Sequence, residues 1–283
     1  MPNYRILLDS TTYLPKDVLE AHNIRVVSLM VTSDDGQSFK EVDISREYII
    51  DKRKQGASFK TSQPAPGAFL KAYNDLLEQG VDTIFFIGIS KNLSGTYQAA
   101  LLARDMLDDP NRVICFDTLQ AAYGNEMLTY HLIDLIKQDL TAVEIKDRME
   151  VAIESAELLF TVENLFSLVK GGRLTVAKAL IGSVLRVKPI IKTIEGRLKL
   201  YQSKRTYKKV YDIMINDIKS SYDPNKTLHI TITHTYSKTR AEALKDVISK
   251  EFPEAKIRMT DLLGPVLTIH VGNKGFGISW FLS

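Results

Sequence analysis

Short apolar runs alternate with helix-length amphipathic stretches through the first half of the chain. "YRILLDST", "VDTIFFIGIS" and "RVICFDT" are rich in β-branched and aromatic residues, and each runs into a polar or glycine-containing loop. After the second comes "KNLSGTYQAALLARDML", where Tyr97, Leu101, Ala103 or Arg104, and Leu107 fall at helix spacing among good helix formers. After the third comes "LQAAYGNEMLTYHLIDLIKQ", another helix-length pattern. Repeated strand, loop and helix units predict an α/β domain over residues 1–155, a mostly parallel sheet flanked by helices.

From residue 156 the pattern changes. "SAELLFTVENLFSLVKGGRLTVAKALIGSVL" reads as a helical pair broken at Gly171 and Gly172, and "KPIIKTIEGRLKLYQSKR" as a hairpin turning at Glu195 and Gly196. "TLHITITH", "SKTRAEALKDVISKEF", "AKIRMTDL" and "GPVLTIHVG" follow as strand, helix, strand, strand. Residues 156–283 are therefore expected to form a smaller α+β domain.

Of the 283 residues, 45% are hydrophobic and 25% charged, which suits an ordinary globular protein with room for two modest cores. The net charge of +3 comes from lysines and arginines scattered among acids, so a nucleic-acid role has little electrostatic support. The single cysteine, Cys115, excludes an intrachain disulfide and fits a reducing cytosol. "MPNYRILLDS" lacks the charged and apolar segments of a signal peptide, and no apolar run approaches the roughly 18 residues of a membrane span. The expectation is a soluble, cytoplasmic protein.

The candidate chemistry is hydroxyls, glycines, a histidine and an arginine. Thr61 and Ser62, in "FKTSQPAPGAF", stand just before a helix start at Pro66; they either donate toward an anion or order a proline-rich turn. In "NLSGTYQ", Ser94 with the backbone of Gly95 and Thr96 makes an anion cradle, or Ser94 is a plain helix cap. Neither this loop nor "KGGRLT" ends in the Gly-Lys-Ser/Thr of a nucleotide-binding loop. His270, at the end of an expected strand in "LTIHVG", meets a ligand or is a satisfied half-buried imidazole. His229 and His234, five apart on a strand, point to opposite faces and cannot share a metal. Arg173, after the paired glycines, aims a guanidinium at an anion or is a solvated residue beyond a helix end, and Arg205 lies in a basic segment. Asp9 and Asp117 end strands, where they line a ligand edge or cap loops. No paired carboxylates, Ser-His-Asp or Cys-His set can be assembled, and no cofactor is called for. Such an inventory suits holding a small anion better than breaking bonds.

Taken together, "DSTTYLP", "FKTSQPAPGAF", "NLSGTYQAALLA", "VKGGRL", "KPII" and "GPVLTIHVG" occur in the order and approximate spacing seen in the DegV family of fatty-acid-binding proteins, and the chain resembles that family over nearly its whole length. The resemblance implies a two-domain DegV-like fold with a long-chain acyl group buried between or within the domains. It implies a bacterial lipid-binding protein, itself no enzyme, that serves a separate fatty-acid kinase by presenting the carboxylate for ATP-dependent conversion to an acyl phosphate, on the way to phospholipid. It places Thr61, Ser62, Ser94, Gly95, Thr96 and His270 around the carboxylate, Arg173 near the head group, and Arg205 at the kinase contact. The same reading leaves room for transient contact with a membrane. The chain departs from the family pattern at Asn273 and Lys274, where many relatives have Pro-Gly, at Tyr13, and at Thr118. The rival reading is an enzyme acting on a small phosphorylated or carboxylated metabolite through Ser94 or His270. The apolar residues of "LFSLVKGGRLTVAKALIGSVL" suit an acyl tunnel and equally suit ordinary core.

Overall fold

A computed structural model describes residues 2–163, 165–175, 187–261 and 263–283. The chain opens with β1 (Tyr4–Asp9), α1 (Lys16–Ala21) and β2 (Arg25–Val27), then makes an insertion of β3 (Met30–Ser33), β4 (Ser38–Lys40), α2 (Arg46–Lys54) and β5 (Phe59–Ser62). Strand and helix alternate again through α3 (Pro66–Leu77), β6 (Thr83–Gly88), α4 (Thr96–Arg104), β7 (Val113–Asp117), α5 (Tyr123–Ile136) and α6 (Ala142–Ser155). The expected parallel sheet is present, in the order β2-β1-β6-β7. Every position of β6 is buried because helices cover both faces. Ile84 and Phe86 pack with Phe69 of α3 and Ala100 of α4, whereas Phe85 and Ile87 pack with Leu128 of α5 and Met149 of α6.

The second half contributes β8 (Glu157–Val162), α7 (Phe166–Lys170), β9 (Lys188–Ile194), β10 (Arg197–Lys204), α8 (Tyr207–Ser221), β11 (Leu228–Thr235), α9 (Lys238–Glu251), β12 (Lys256–Thr260), α10 (Pro265–Val271) and β13 (Gly275–Leu282). Its sheet is mixed, in the order β10-β9-β8-β13-β11-β12. Met214 of α8 and Leu244 of α9 cover one face, against Ile190, Ile232, Ile278 and Trp280. The other face meets α5 and α6, with Phe281 in one core with Leu128 and Met149, so these two helices lie between the sheets.

Several expectations are corrected. "SAELLF" does not begin a helix: Glu157–Val162 is a strand paired on both sides, with β13 and β9. "GPVLTIHVG" is not a strand but the helix α10, opened by Pro265 at its first position and closed at Gly272, whose φ of 89° suits only glycine. The final strand is "GFGISWFL", which the pattern did not anticipate, and so is the small antiparallel sheet β4-β3-β5. The hairpin stands as expected: Glu195 and Gly196 both have positive φ, at 51° and 73°, the signature of a two-residue turn matching strand twist. Of the expected helical pair, α7 is the first member; the second, at 176–186, lies outside the described residues.

Two features bring the halves together around one place. The hairpin tip is fastened to the loop after β6, where Ser90 Oγ donates to Gly196 O at 2.9 Å and Asn92 Nδ2 to Glu195 O at 2.8 Å. Helix α10 leaves its own sheet and packs on α2 and β5 of the small sheet.

Candidate functional site

Between these contacts lies a narrow apolar cavity of about 80 Å³. Leu29 and Leu93 line it from the first half, Leu158, Phe160 and Val266 from the second, with Tyr123 at the start of α5. Its polar lining includes Thr161, Thr233 and Thr235 on the larger sheet, and Thr61, Ser94, Arg173 and His270 from four separate segments.

Each of the four is held by its surroundings. Strand alternation turns Thr61 inward on β5, and its Oγ1 lies 2.8 Å from His270 Nε2. The same alternation turns Ser62 outward, exposed and away from the cavity, so the structure does not bring it to the site. Ser94 Oγ lies 2.9 Å from Thr96 Oγ1; the cap of α4 is Gly95, not Ser94. Gln63 lies across Gly95: an added Cβ would fall 2.0 Å from Gln63 Oε1, so that flexible side chain would have to shift. Arg173 is half-buried, not solvated, donating through Nε to Leu93 O at 3.2 Å and through Nη1 to Gly171 O at 2.6 Å. Gly171 is required by the imidazole, since a Cβ there would fall 2.4 Å from His270 Nδ1.

Burial, reinforced by the charges of Arg173 and Arg53, pushes His270 down to about 4, so the ring is neutral at neutral pH. Among the described residues Nδ1 is buried without a hydrogen-bond partner. A proton there would leave a donor unsatisfied, which costs more than an unmatched lone pair, so the proton belongs on Nε2 and is donated to Thr61. The Thr61 hydroxyl is then free to donate into the cavity. The site thus offers neutral donors backed by one guanidinium.

Thr61, Arg173 and His270 also line a second space, a groove of about 660 Å³. Arg53, Lys60, Lys170 and Lys274 line it, with Glu163 as its acid. Asn273 and Lys274, the departures noted in sequence, sit on its rim.

The remaining candidates fall elsewhere. Asp9 and Asp117 are caps: Asp9 accepts from Thr11 N at 2.8 Å and Ile89 N at 2.7 Å, and Asp117 from Lys91 N at 3.2 Å. His229 stacks on Phe281 and His234 is buried on the same strand. Among the described residues no cluster of His, Cys, Asp or Glu is arranged to hold a metal, and no helix is long and apolar enough to cross a membrane. Arg205 is exposed in the bend between β10 and α8, lining neither space. Sequence reasoning passed over Gln63, Arg53 and the acid Glu41. Gln63 stands inside the "KTSQP" motif and could have been found there; the other two carry no local signal.

The sequence profile of the DegV family, described as an uncharacterised protein family, matches residues 3–283. The chain belongs to the DegV family. A DegV domain-containing protein of Listeria monocytogenes is 32% identical over 278 residues, 97% of either chain. Among solved structures, a DegV family protein from Thermus thermophilus, described as fatty-acid binding, superposes with a TM-score of 0.90 at 27% identity, covering 99% of this chain and 100% of that one. A DegV lipid-binding protein from Thermotoga maritima gives 0.85 at 26%, covering 99% and 98%. DegV of Bacillus subtilis, a fatty-acid-binding protein, gives 0.83 at 25%, covering both chains fully. The α/β architecture with its parallel sheet is that of DegV structures.

Proposed function

We propose that this DegV protein binds a long-chain fatty acid, with the hydrocarbon in the apolar cavity and the carboxylate at Thr61, Ser94, His270 and Arg173, and that it presents the carboxylate to a separate kinase. The observation that carries the reading is that one apolar space is bordered by the Thr61 and Ser94 hydroxyls, the His270 imidazole and the Arg173 guanidinium, with Thr61 Oγ1 2.8 Å from His270 Nε2. Each buried methylene contributes about 0.8 kcal/mol, so the chain supplies most of the affinity, while a carboxylate removed from water must find hydrogen bonds. The solved relatives described as lipid or fatty-acid binding support the ligand class.

Presentation follows from where the head group would sit. Its outer side faces the cationic groove, which gives an ATP-bearing partner a route to it. A carboxylate oxygen attacks the terminal phosphorus of ATP, the bond from that phosphorus to the bridging oxygen breaks, and ADP leaves. The Thr61 and Ser94 hydroxyls donate to the carboxylate, with His270 orienting Thr61 and Arg173 adding positive charge nearby. In this reading the protein supplies neither nucleophile nor base, which is supported by the Ser94 hydroxyl lying 2.9 Å from Thr96 Oγ1. Arg205, exposed and clear of both spaces, is assigned to the kinase contact.

Native mass spectrometry before and after solvent extraction tests the ligand. One fatty acid per chain is the expected result; a protein that arrives empty and takes up no added palmitate would overturn it and favour a metabolite enzyme. Arg205→Ala should leave lipid occupancy intact and slow kinase-dependent acyl-phosphate formation.

A further inference from the structure

Helix α10 carries Val266, Leu267, His270 and Val271 into the cavity wall, yet it spans only Pro265–Val271. A helix so short has no stability of its own in water. Its end groups are instead gripped by the first half of the chain. At the amide end, Glu41 Oε1 accepts from Val266 N at 2.9 Å and from Tyr13 Oη at 2.6 Å, and Oε2 accepts from Ser10 Oγ at 2.5 Å. Tyr13 Oη in turn accepts from Leu267 N at 3.2 Å. The Tyr13 ring fills the place of a side chain on Gly264, where a Cβ would fall 2.3 Å from it. At the carbonyl end, Arg53 donates to Thr268 O at 3.2 Å and Ile269 O at 2.8 Å. An acid at the amide end and a guanidinium at the carbonyl end both complement the helix dipole.

Glu41 is only 2% exposed, and burial pushes its carboxyl up to about 7 against the pull of three donors. A buried carboxyl is costly to keep unless its hydrogen bonds decide something. What these bonds decide is the position of one helix relative to one strand. Glu41, Arg53 and Thr61 all belong to the segment 41–61, so the grip on α10 and the partner of His270 come from one stretch of chain.

We propose that Glu41, through Val266 N and Tyr13, is the positioning residue that holds α10 in the register where His270 meets Thr61. Its consequence for ligand rests on the carboxylate-binding reading; its geometry does not.

Two readouts separate these. Ring-nitrogen NMR of His270 follows the clamp alone: the wild-type imidazole titrates near 4, with Arg173 and Arg53 the charges that face it. In Glu41→Ala the ring leaves its burial and its titration moves up by more than one pH unit, whereas Glu41→Gln, which keeps an acceptor for Val266 N, stays close to wild type. Palmitate affinity, read by displacement of cis-parinarate, falls about tenfold in Glu41→Ala and less than threefold in Glu41→Gln. Should Glu41→Ala not fold, Tyr13→Phe keeps the ring on Gly264 and removes only the hydroxyl; it should shift His270 in the same direction by a smaller step. An unmoved His270 titration in folded Glu41→Ala, or in Tyr13→Phe if that variant must stand in, overturns the clamp. A wild type that binds no palmitate overturns the carboxylate reading and leaves the NMR result to judge Glu41.

Discussion

The apolar cavity and the cationic groove share Thr61, Arg173, His270 and Val271, and otherwise they are opposite media. Leu29, Leu158, Phe160 and Val266 give the first no charge to offer; Arg53, Lys60, Lys170 and Lys274 give the second a cationic excess over Glu163, which lies 3.7 Å from Lys274, among apolar residues such as Phe59 and Phe166. His270 records both neighbours at once: the apolar side removes its water, the groove's arginines repel its proton, and both push its titration the same way. An amphiphile laid across this boundary would draw its affinity from one side and its orientation from the other. The two contributions should therefore be separable by mutation.

The largest effect is expected on the apolar side. The sheet face behind the cavity is kept small at Gly275 and Gly277, and Tyr123 approaches so closely that a Cβ on Gly277 would fall 2.3 Å from its Oη and 2.6 Å from Leu159 O. Gly277→Val cannot be relieved by a flexible neighbour, because one of these atoms is backbone in a strand paired on both sides. It should cost about 3 kcal/mol of stability, seen as a lower urea midpoint and melting temperature. An unchanged midpoint would mean that the spacing between α5 and the sheet is soft, and that the cavity is not the rigid half of the comparison.

The parallel sheet was legible because each of its buried strands announces itself: "IFFIG" has no other home than the centre of a covered sheet. Helix α10 was not, because "PVLTIHV" is apolar throughout and rich in β-branched residues, so periodicity says nothing. Pro265 and Gly272 bound it in a way that fits a helix, and that signal was outweighed by propensity. "GFGISWFL" hid for a related reason: its glycines read as loop, when they are what lets Tyr123 approach. At the site, the hydroxyls, Arg173 and His270 stand in recognisable motifs. Which of Thr61 and Ser62 faces inward depends on the register of β5 with β3, and that is a tertiary fact. Glu41 meets Val266 across 225 residues, so no local pattern could have paired them.

A middle-sized effect should come from the boundary itself. Thr61→Val keeps the shape of the side chain and removes the hydroxyl that His270 orients; Ser94→Ala does the same beside Arg173. Each should weaken palmitate by about 1–3 kcal/mol, roughly five- to 150-fold, the cost of leaving a buried carboxylate oxygen without a donor. Hexadecanol, which brings no carboxylate, should lose much less. Ser62→Ala, one residue from Thr61 on the exposed side of the strand, should change neither. Equal losses for acid and alcohol would show that these hydroxyls shape the cavity and do not read the head group.

The smallest net effect in the wild type is in pH, because two opposing contributions partly cancel, and the sign of each tells the two sides apart. His270 is depressed from its ordinary value to about 4, so its neutral form stabilises the fold fully above about 6.5. That contribution is lost as pH falls toward 4, because the unfolded chain takes up the proton first. Glu41 is raised from 4.5 to about 7, so its contribution is complete below about 4.5 and is lost as pH rises to 7. Across this window the two oppose each other and partly cancel in the wild type. Urea midpoints at about pH 5, 6 and 7 should uncover them by difference. Relative to wild type, His270→Gln should become less stable as pH rises, and Glu41→Gln more stable. Parallel curves for all three proteins would mean that neither group is held away from water as the geometry requires, and the boundary between cavity and groove would have to be redrawn on its solvent side.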